Sequence, residues 1–159
     1  MTMHYFRLGL IIAVAIVIAD QATKWLIVAQ VMAPPRTIAV LPFFDIVLVH
    51  NRGISFGAFN SGTETMAWAL TGFALLIAAG LLVWLWRAKT GLIATALGLV
   101  IGGAIGNVID RVRIGAVVDF LDAHVGNYHW PAFNLADSAI TIGVALILLE
   151  ALLGERRSA

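Results

Sequence analysis

Four long apolar stretches alternate with shorter polar segments along this chain. A helix needs about 20 apolar residues to cross the roughly 30 Å hydrocarbon layer of a bilayer. The apolar stretches cover residues 8–31, 66–86, 92–109 and 136–153, and each has, or nearly has, that length. The pattern therefore predicts four transmembrane helices.

The first stretch admits a second interpretation, because Arg7 followed by the apolar run 8–19 also resembles a secretory signal peptide with a small-residue cleavage site ending at Ala19. The apolar character resumes after Lys24, however, so the stretch is longer than the 7 to 15 residue core of such a peptide. We therefore favour a span. Asp20 and Lys24 lie one helical turn apart and should pair, which makes both tolerable in lipid.

The connection between the first two spans, residues 32–65, carries a β signal. Residues 43–49 are β-branched and aromatic, residues 51–53 form a turn signal, and the apolar character resumes in residues 54–59. This order predicts a small hairpin or sheet on the membrane surface. The expected fold is an all-α membrane protein with four transmembrane helices and a small extracytoplasmic β-rich subdomain in the first long loop. We expect one domain over residues 1–159.

Four spans place both termini on one side of the membrane and the connections 32–65 and 110–135 on the other. Lys and Arg are tied at five on each side, so a simple count does not orient the chain. We favour cytoplasmic termini, because the far-side cations are interleaved with acids that can be their local partners. Seven of the nine acids lie on or near the far side, namely Asp20, Asp45, Glu64, Asp110, Asp119, Asp122 and Asp137.

Composition supports the membrane assignment and narrows the chemistry. The chain is 61% apolar and 12% charged, with a mean hydropathy of +0.96, whereas a soluble domain has roughly 25% charged residues. The net charge of +1 and the scattered cations argue against a nucleic-acid partner. With no cysteine, a disulfide, a thiolate nucleophile and a Cys-ligated metal are excluded.

A glycine recurs at every fourth position of the third span, at Gly98, Gly102 and Gly106. This spacing lays a smooth strip along one helix face, where another helix can approach closely, within the bundle or between copies. Asn107 and Asp110 follow within about one turn, so we expect the strip to end in a cluster of hydrogen-bonding groups.

Asp119 and Asp137 are the strongest candidates for chemistry, because ionisable groups at membrane depth are costly and usually functional. Asp137 also has a structural interpretation: Asn134 would be the N-cap of the fourth span, with Asp137 at the third position of a capping box. Asp119 lies alone among apolar neighbours. Two carboxylates close together in a poorly solvated site share a proton, and such a pair can activate water and protonate an oxyanion. Its apparent pKa values would belong to the pair.

Other functions find less support. No serine lies in a nucleophile motif, and the histidines lack zinc-protease spacing, so we expect no metal site. Buried acids also suit a small proton- or ion-coupled carrier, but carriers usually show internal repeats and acids near the midplane. A membrane scaffold assembled through the glycine strip would leave the polar cluster unexplained.

The chain closely resembles the lipoprotein signal peptidase (bacterial signal peptidase II) family over nearly its whole length, through five motifs in order. These are Asp20-x-x-x-Lys24, Asn51-Arg-Gly53-Ile-Ser-Phe56-Gly57, Gly102-Gly103-Ala-Ile-Gly106-Asn107-Val-Ile-Asp110-Arg111, Val117-Val118-Asp119-Phe120 and Phe133-Asn134-Leu-Ala136-Asp137.

The resemblance implies an aspartyl endopeptidase of the bacterial inner membrane. With the termini in the cytoplasm, we expect the active site near the outer face. Its substrates would be prolipoproteins with a diacylglyceryl-modified cysteine, and its catalytic pair Asp119 and Asp137. No cofactor is implied, and membrane lipids and the cyclic peptide globomycin are the other implied partners. The substrate-binding or supporting residues would be Asp20, Lys24, Asn51, Gly103, Asn107, Asp110, Arg111, Asn134 and Ala136.

Overall fold

The computed structural model describes residues 3–53 and 64–156. Its four long helices are α1 (Met3–Leu26), α2 (Glu64–Trp86), α3 (Gly91–Ile114) and α4 (Leu135–Arg156), and a π-helical turn (Ile27–Val31) continues α1. All four are long and apolar enough to cross a membrane. The predicted fold class is therefore confirmed. The third helix runs to Ile114, whereas the predicted span ended at Ile109, so its last turns carry polar residues.

Helix α3 lies at the centre of the bundle. Its most apolar window is 61% buried, against 17 to 22% for the windows of the other three helices. The glycine strip explains the close packing: a Cβ on Gly102 would lie 2.7 Å from the carbonyl oxygen of Ala13 in α1. On the side facing α4, Gly103 similarly abuts the carbonyl of Ala136. The predicted close approach is confirmed, and both partners belong to this chain.

A four-stranded antiparallel sheet lies at one end of the bundle, with strand order β1-β2-β3-β4. Its strands are β1 (Ile38–Leu41), β2 (Phe44–Asn51), β3 (Val117–Val125) and β4 (Tyr128–His129). The strand predicted over residues 43–49 is β2, and it pairs with β1 through a turn at Pro42 and Phe43. The other half of the predicted hairpin, residues 54–59, lies outside the described residues.

The second connection supplies β3 and β4, which extends the predicted β-rich region beyond the first loop. Helix α3 ends at Gly115, whose φ of +70° is the left-handed conformation that glycine adopts without strain. The chain then turns into β3. A two-residue turn at Gly126 and Asn127 leads back into β4. In the β2–β3 register, Val49 is paired with Asp119, which brings Asp119 beside the end of β2.

A small apolar cluster of Ile27, Met32 and Phe120 attaches the sheet to the end of α1. The outer helix faces carry exposed apolar side chains instead, such as Ile11 (66% exposed) and Leu76 (71% exposed). Surfaces of that kind suit lipid rather than water as the surrounding solvent. The sheet is therefore held against one end of the bundle.

Candidate active site

Asp119 is held inside the protein by two asparagines. Its side chain is 1% exposed, and it accepts hydrogen bonds from Asn51 Nδ2 at 2.9 Å and Asn134 Nδ2 at 2.8 Å. The Asn51 amide is oriented because its Oδ1 accepts from the backbone N–H of Gly53 at 2.8 Å. Its NH₂ group therefore faces the carboxylate.

The pKa of Asp119 is raised to about 6, chiefly because burial disfavours the charged form. The charge of Asp137 raises this pKa further, whereas the hydrogen bonds from Asn51 and Asn134 and the charge of Lys24 lower it in part. A carboxyl group with such a pKa can hold or release a proton near neutral pH. That property suits general acid–base catalysis.

Asp137 lies in the first turn of α4 and forms the capping box that the sequence predicted. Asn134 Oδ1 accepts from the backbone N–H of Asp137 at 2.9 Å, and Asp137 Oδ2 accepts from the backbone N–H of Asn134 at 3.1 Å. The remaining oxygen, Oδ1, accepts from Asn107 Nδ2 at 2.8 Å. The capping interpretation is confirmed. It does not compete with a second role, because the cap uses one oxygen of the carboxylate.

Asn134 joins the two aspartates. Its side-chain amide donates to Asp119, and its backbone amide donates to Asp137. The same side chain donates to Asn107 Oδ1 at 3.1 Å, and it is completely buried. One residue at the start of α4 therefore holds a carboxylate from β3 beside a carboxylate of its own helix.

A second, fully buried cluster lies behind this pair, centred on Lys24. Its Nζ lies 2.8 Å from Asp20 Oδ2 and 2.7 Å from Asp110 Oδ2, and it donates to Asn107 Oδ1 at 3.1 Å. The predicted pairing of Asp20 with Lys24 is confirmed, and Asp110 is an additional partner. Because Asn107 Oδ1 faces the ammonium, its NH₂ group is directed to Asp137.

The two carboxylates of this cluster also fix the surrounding backbone. Asp20 Oδ1 accepts from the N–H of Ala136 in α4, and Asp110 Oδ2 accepts from the N–H of Val118 in β3, both at 3.1 Å. Each of these amides belongs to a residue immediately preceding a candidate catalytic aspartate. The buried ions thus position the backbone that carries both carboxylates.

Comparison with known proteins is consistent with this geometry. Residues 12–153 match the model of the family described as Signal peptidase (SPase) II. The chain belongs to the signal peptidase II family. It is 49% identical over 144 residues to the lipoprotein signal peptidase of Paraburkholderia phymatum, covering 89% of this chain and 85% of the relative. It is 46% identical over 148 residues to that of Rhizorhabdus wittichii, covering 92% and 86%.

Two solved structures of bacterial membrane enzymes have the same fold. One is 35% identical with a TM-score of 0.79 and covers 95% of this chain and 91% of its own. The other is 37% identical with a TM-score of 0.76 and coverages of 91% and 92%. The chain is therefore a multi-pass membrane peptidase, and the family resemblance seen in its motifs is confirmed.

The structure adds one residue to the predicted set. Gln21 Nε2 donates to Asp110 Oδ1 at 2.9 Å, and it lies 3.2 Å from both Asp20 Oδ2 and the carbonyl of Gly106. In the sequence Gln21 is only a polar interruption beside Asp20. Arg111 interacts electrostatically with Asp137 and Asp119, although no ion pair joins it to a carboxylate among residues 3–53 and 64–156.

A cavity of about 510 Å³ opens beside Asp119. Its described lining comes from the end of β2 and from the segment that leads from β4 towards α4, namely Val49, His50, Asn51, Arg52, Asp119, His129, Trp130, Pro131 and Ala132. A substrate approaching Asp119 from the sheet side would enter here. No group of three or more His, Cys, Asp or Glu side chains in the described part of the chain is arranged to hold a metal ion.

Proposed function

We propose that this peptidase is an aspartic endopeptidase that removes the signal peptide from diacylglyceryl-modified prolipoproteins, with Asp119 and Asp137 as its catalytic pair. The observation that carries the catalytic assignment is the sharing of Asn134, which holds a buried carboxylate from β3 beside one from α4. The lipoprotein substrate is supported by the relatives, which are lipoprotein signal peptidases. Cleavage occurs on the N-terminal side of the modified cysteine.

The mechanism follows from two carboxyl groups that share one proton. The ionised member removes a proton from water, whose oxygen attacks the carbonyl carbon before the modified cysteine, while the protonated member donates its proton to the developing oxyanion. When the tetrahedral intermediate collapses, the carbon–nitrogen bond breaks and the amine takes a proton from the pair. The products are a signal peptide with a free carboxyl end and a lipoprotein that begins with the modified cysteine.

The remaining polar residues position this pair. Asn51, Asn107 and Asn134 donate to the carboxylates, so each oxygen has a defined direction. Lys24 orients Asn107, while Asp110 and Asp20 hold the backbone N–H groups of Val118 and Ala136. Gly103 lets α3 approach α4 closely. Arg111 contributes a positive charge near the pair, which favours anionic intermediates.

We assign the protein to the bacterial inner membrane as a single domain, residues 1–159, with both termini in the cytoplasm and the dyad near the outer face. The assignment is supported by the position of the dyad at the loop end of the helices, where the cleavage site of a membrane-held signal peptide would arrive. Membrane lipids surround the bundle. Globomycin, a peptide inhibitor of the family, would occupy the space beside the dyad.

The test is cleavage of a diacylglyceryl-modified prolipoprotein by the purified protein in detergent, followed by mass spectrometry. Asp119→Asn and Asp137→Asn should each lower kcat by at least about 10²-fold, because each removes a proton-transfer group. Asp45→Asn is the matched control, because Asp45 lies in the same sheet and faces His124 at 3.5 Å rather than the dyad. Its turnover should match the parent.

Cleavage at the parental rate by either dyad variant would refute the catalytic assignment. A different pattern separates capping from catalysis at Asp137. If Asp137→Asn loses thermal stability but keeps parental turnover per folded molecule, Asp137 only caps α4.

A further inference from the structure

The cavity beside Asp119 is built from the sheet and loops. Its described lining spans residues 49–52 and 129–132 together with Asp119, and none of these residues belongs to helices α1 to α4. Trp130, 63% exposed, adds apolar surface to one wall. The described lining therefore places the cavity beside Asp119, on the side of the sheet and the loops that connect the helices.

If the proposed function holds, only one part of a lipoprotein precursor suits the cavity beside Asp119. The signal peptide is apolar and the acyl chains on the cysteine are hydrocarbon, so both are more stable in the bilayer. The polypeptide that follows the cysteine must continue into water. A cavity that begins beside Asp119 and is lined by the sheet and surface loops is a path for that segment.

The charge of the lining favours one kind of side chain. Arg52 is exposed, and it forms no ion pair with any acidic side chain in the described ranges. His129 already faces a carboxylate, since its Nδ1 lies 2.8 Å from Asp122 Oδ2, so Arg52 is the exposed cation of the described lining that has no acidic partner there. Asp119 is the single acid of the described lining, and it is 1% exposed. Arg52 therefore adds an exposed positive charge to the cavity lining, which complements a carboxylate.

We propose that this cavity binds the first residues after the modified cysteine, and that Arg52 makes it select substrates with an acidic residue there. Arg52 acts on specificity and takes no part in bond cleavage. Because it is exposed, its attraction for a carboxylate is that of a surface pair, worth about a three- to fivefold preference.

The experiment compares three prolipoprotein peptides that differ at one position, the second residue after the modified cysteine, which is Asp, Asn or Lys. We expect kcat/KM of the parent to be about three- to fivefold higher for Asp than for Lys at low salt, and the ratio to shrink at high ionic strength. Arg52→Gln should bring the ratio near one, and Arg52→Glu should reverse it. Arg36→Glu makes the same charge change on an exposed residue outside the cavity lining and should leave the ratio unchanged.

Equal kcat/KM for Asp and Lys in the parent, or an unchanged ratio in Arg52→Glu, would overturn the proposal. An equal shift in Arg36→Glu would also overturn it, because the preference would then reflect the overall surface charge. In each of these cases, cleavage of the Asn peptide by the parent would still support the proposed function. If the parent cleaves none of the three peptides, the proposed function fails, and this inference fails with it.

Discussion

Replacing Lys24 with Met tests the buried ionic cluster behind the proposed catalytic pair. The Lys24 side chain is 4% exposed, and its two carboxylate partners, Asp20 and Asp110, are 0% and 6% exposed. Met keeps most of the volume and removes the charge. Among the described side chains no other cation pairs with these two carboxylates, so the variant leaves two buried anions uncompensated.

The expected cost is about 3–5 kcal/mol of unfolding free energy, the range for removing one partner of a buried pair. Adding Asp20→Asn should recover part of this loss, because only Asp110 then lacks its ion partner, and it still accepts from Gln21 and Val118. Residues in direct contact typically show interaction energies of about 0.5–3 kcal/mol in such a cycle. We expect the double variant to be more stable than the sum of the single changes predicts.

The assay is reversible unfolding in mixed micelles with increasing denaturing detergent, followed by circular dichroism, for the parent, both single variants and the double variant. Lys89→Met is the matched control, because Lys89 is exposed in the connection between α2 and α3 and should change stability by less than about 0.5 kcal/mol. A Lys24→Met variant within about 1 kcal/mol of the parent would refute the reasoning, as would additive losses in the double variant.

Four further outcomes are expected. Gly102→Ala should lower the free energy of unfolding by about 1–3 kcal/mol in the same assay, since the added Cβ would lie 2.7 Å from the Ala13 carbonyl oxygen. Gly80→Ala, where nothing lies within 4 Å of the added Cβ, should raise the free energy of unfolding by up to about 1 kcal/mol. Equal effects of the two changes would contradict this prediction. The pKa of Asp119 is raised to about 6, so kcat/KM should fall as pH rises above that value and the dyad loses its proton. Asn51→Ala removes a hydrogen bond that stabilises the Asp119 carboxylate, so it should raise the pKa of Asp119. The decline of kcat/KM should then begin about 0.5–1 pH unit higher than in the parent, and a decline that begins at lower pH would contradict the prediction. Globomycin at a hundredfold excess over its Kd should stabilise the folded protein by about 2.7 kcal/mol in thermal unfolding, and an unchanged Tm would argue against binding.

Local features of the sequence were sufficient for several elements. The four spans follow from apolar length, the pairing of Asp20 with Lys24 follows from one helical turn of spacing, and the capping box at Asn134 and Asp137 follows from a three-residue spacing. Each depends on residues that are neighbours along the chain. The strand β3 also carries a local signal in Val117, Val118, Phe120 and Val125, but the pattern of spans predicts residues 110–135 only as a connection.

The chemistry of the site depends on contacts that no local pattern specifies. Asn51 reaches Asp119 because β2 pairs with β3, Asp110 reaches Lys24 because the glycine strip draws α3 against α1, and Gln21 joins them only in that packing. The sequence by itself determined a four-span membrane protein, its family and two candidate catalytic carboxylates, Asp119 and Asp137. Only the tertiary structure shows that the buried Asn134 donates hydrogen bonds to both Asp119 and Asp137. Asp119 reaches Asn134 because β3 packs against the end of the helix bundle.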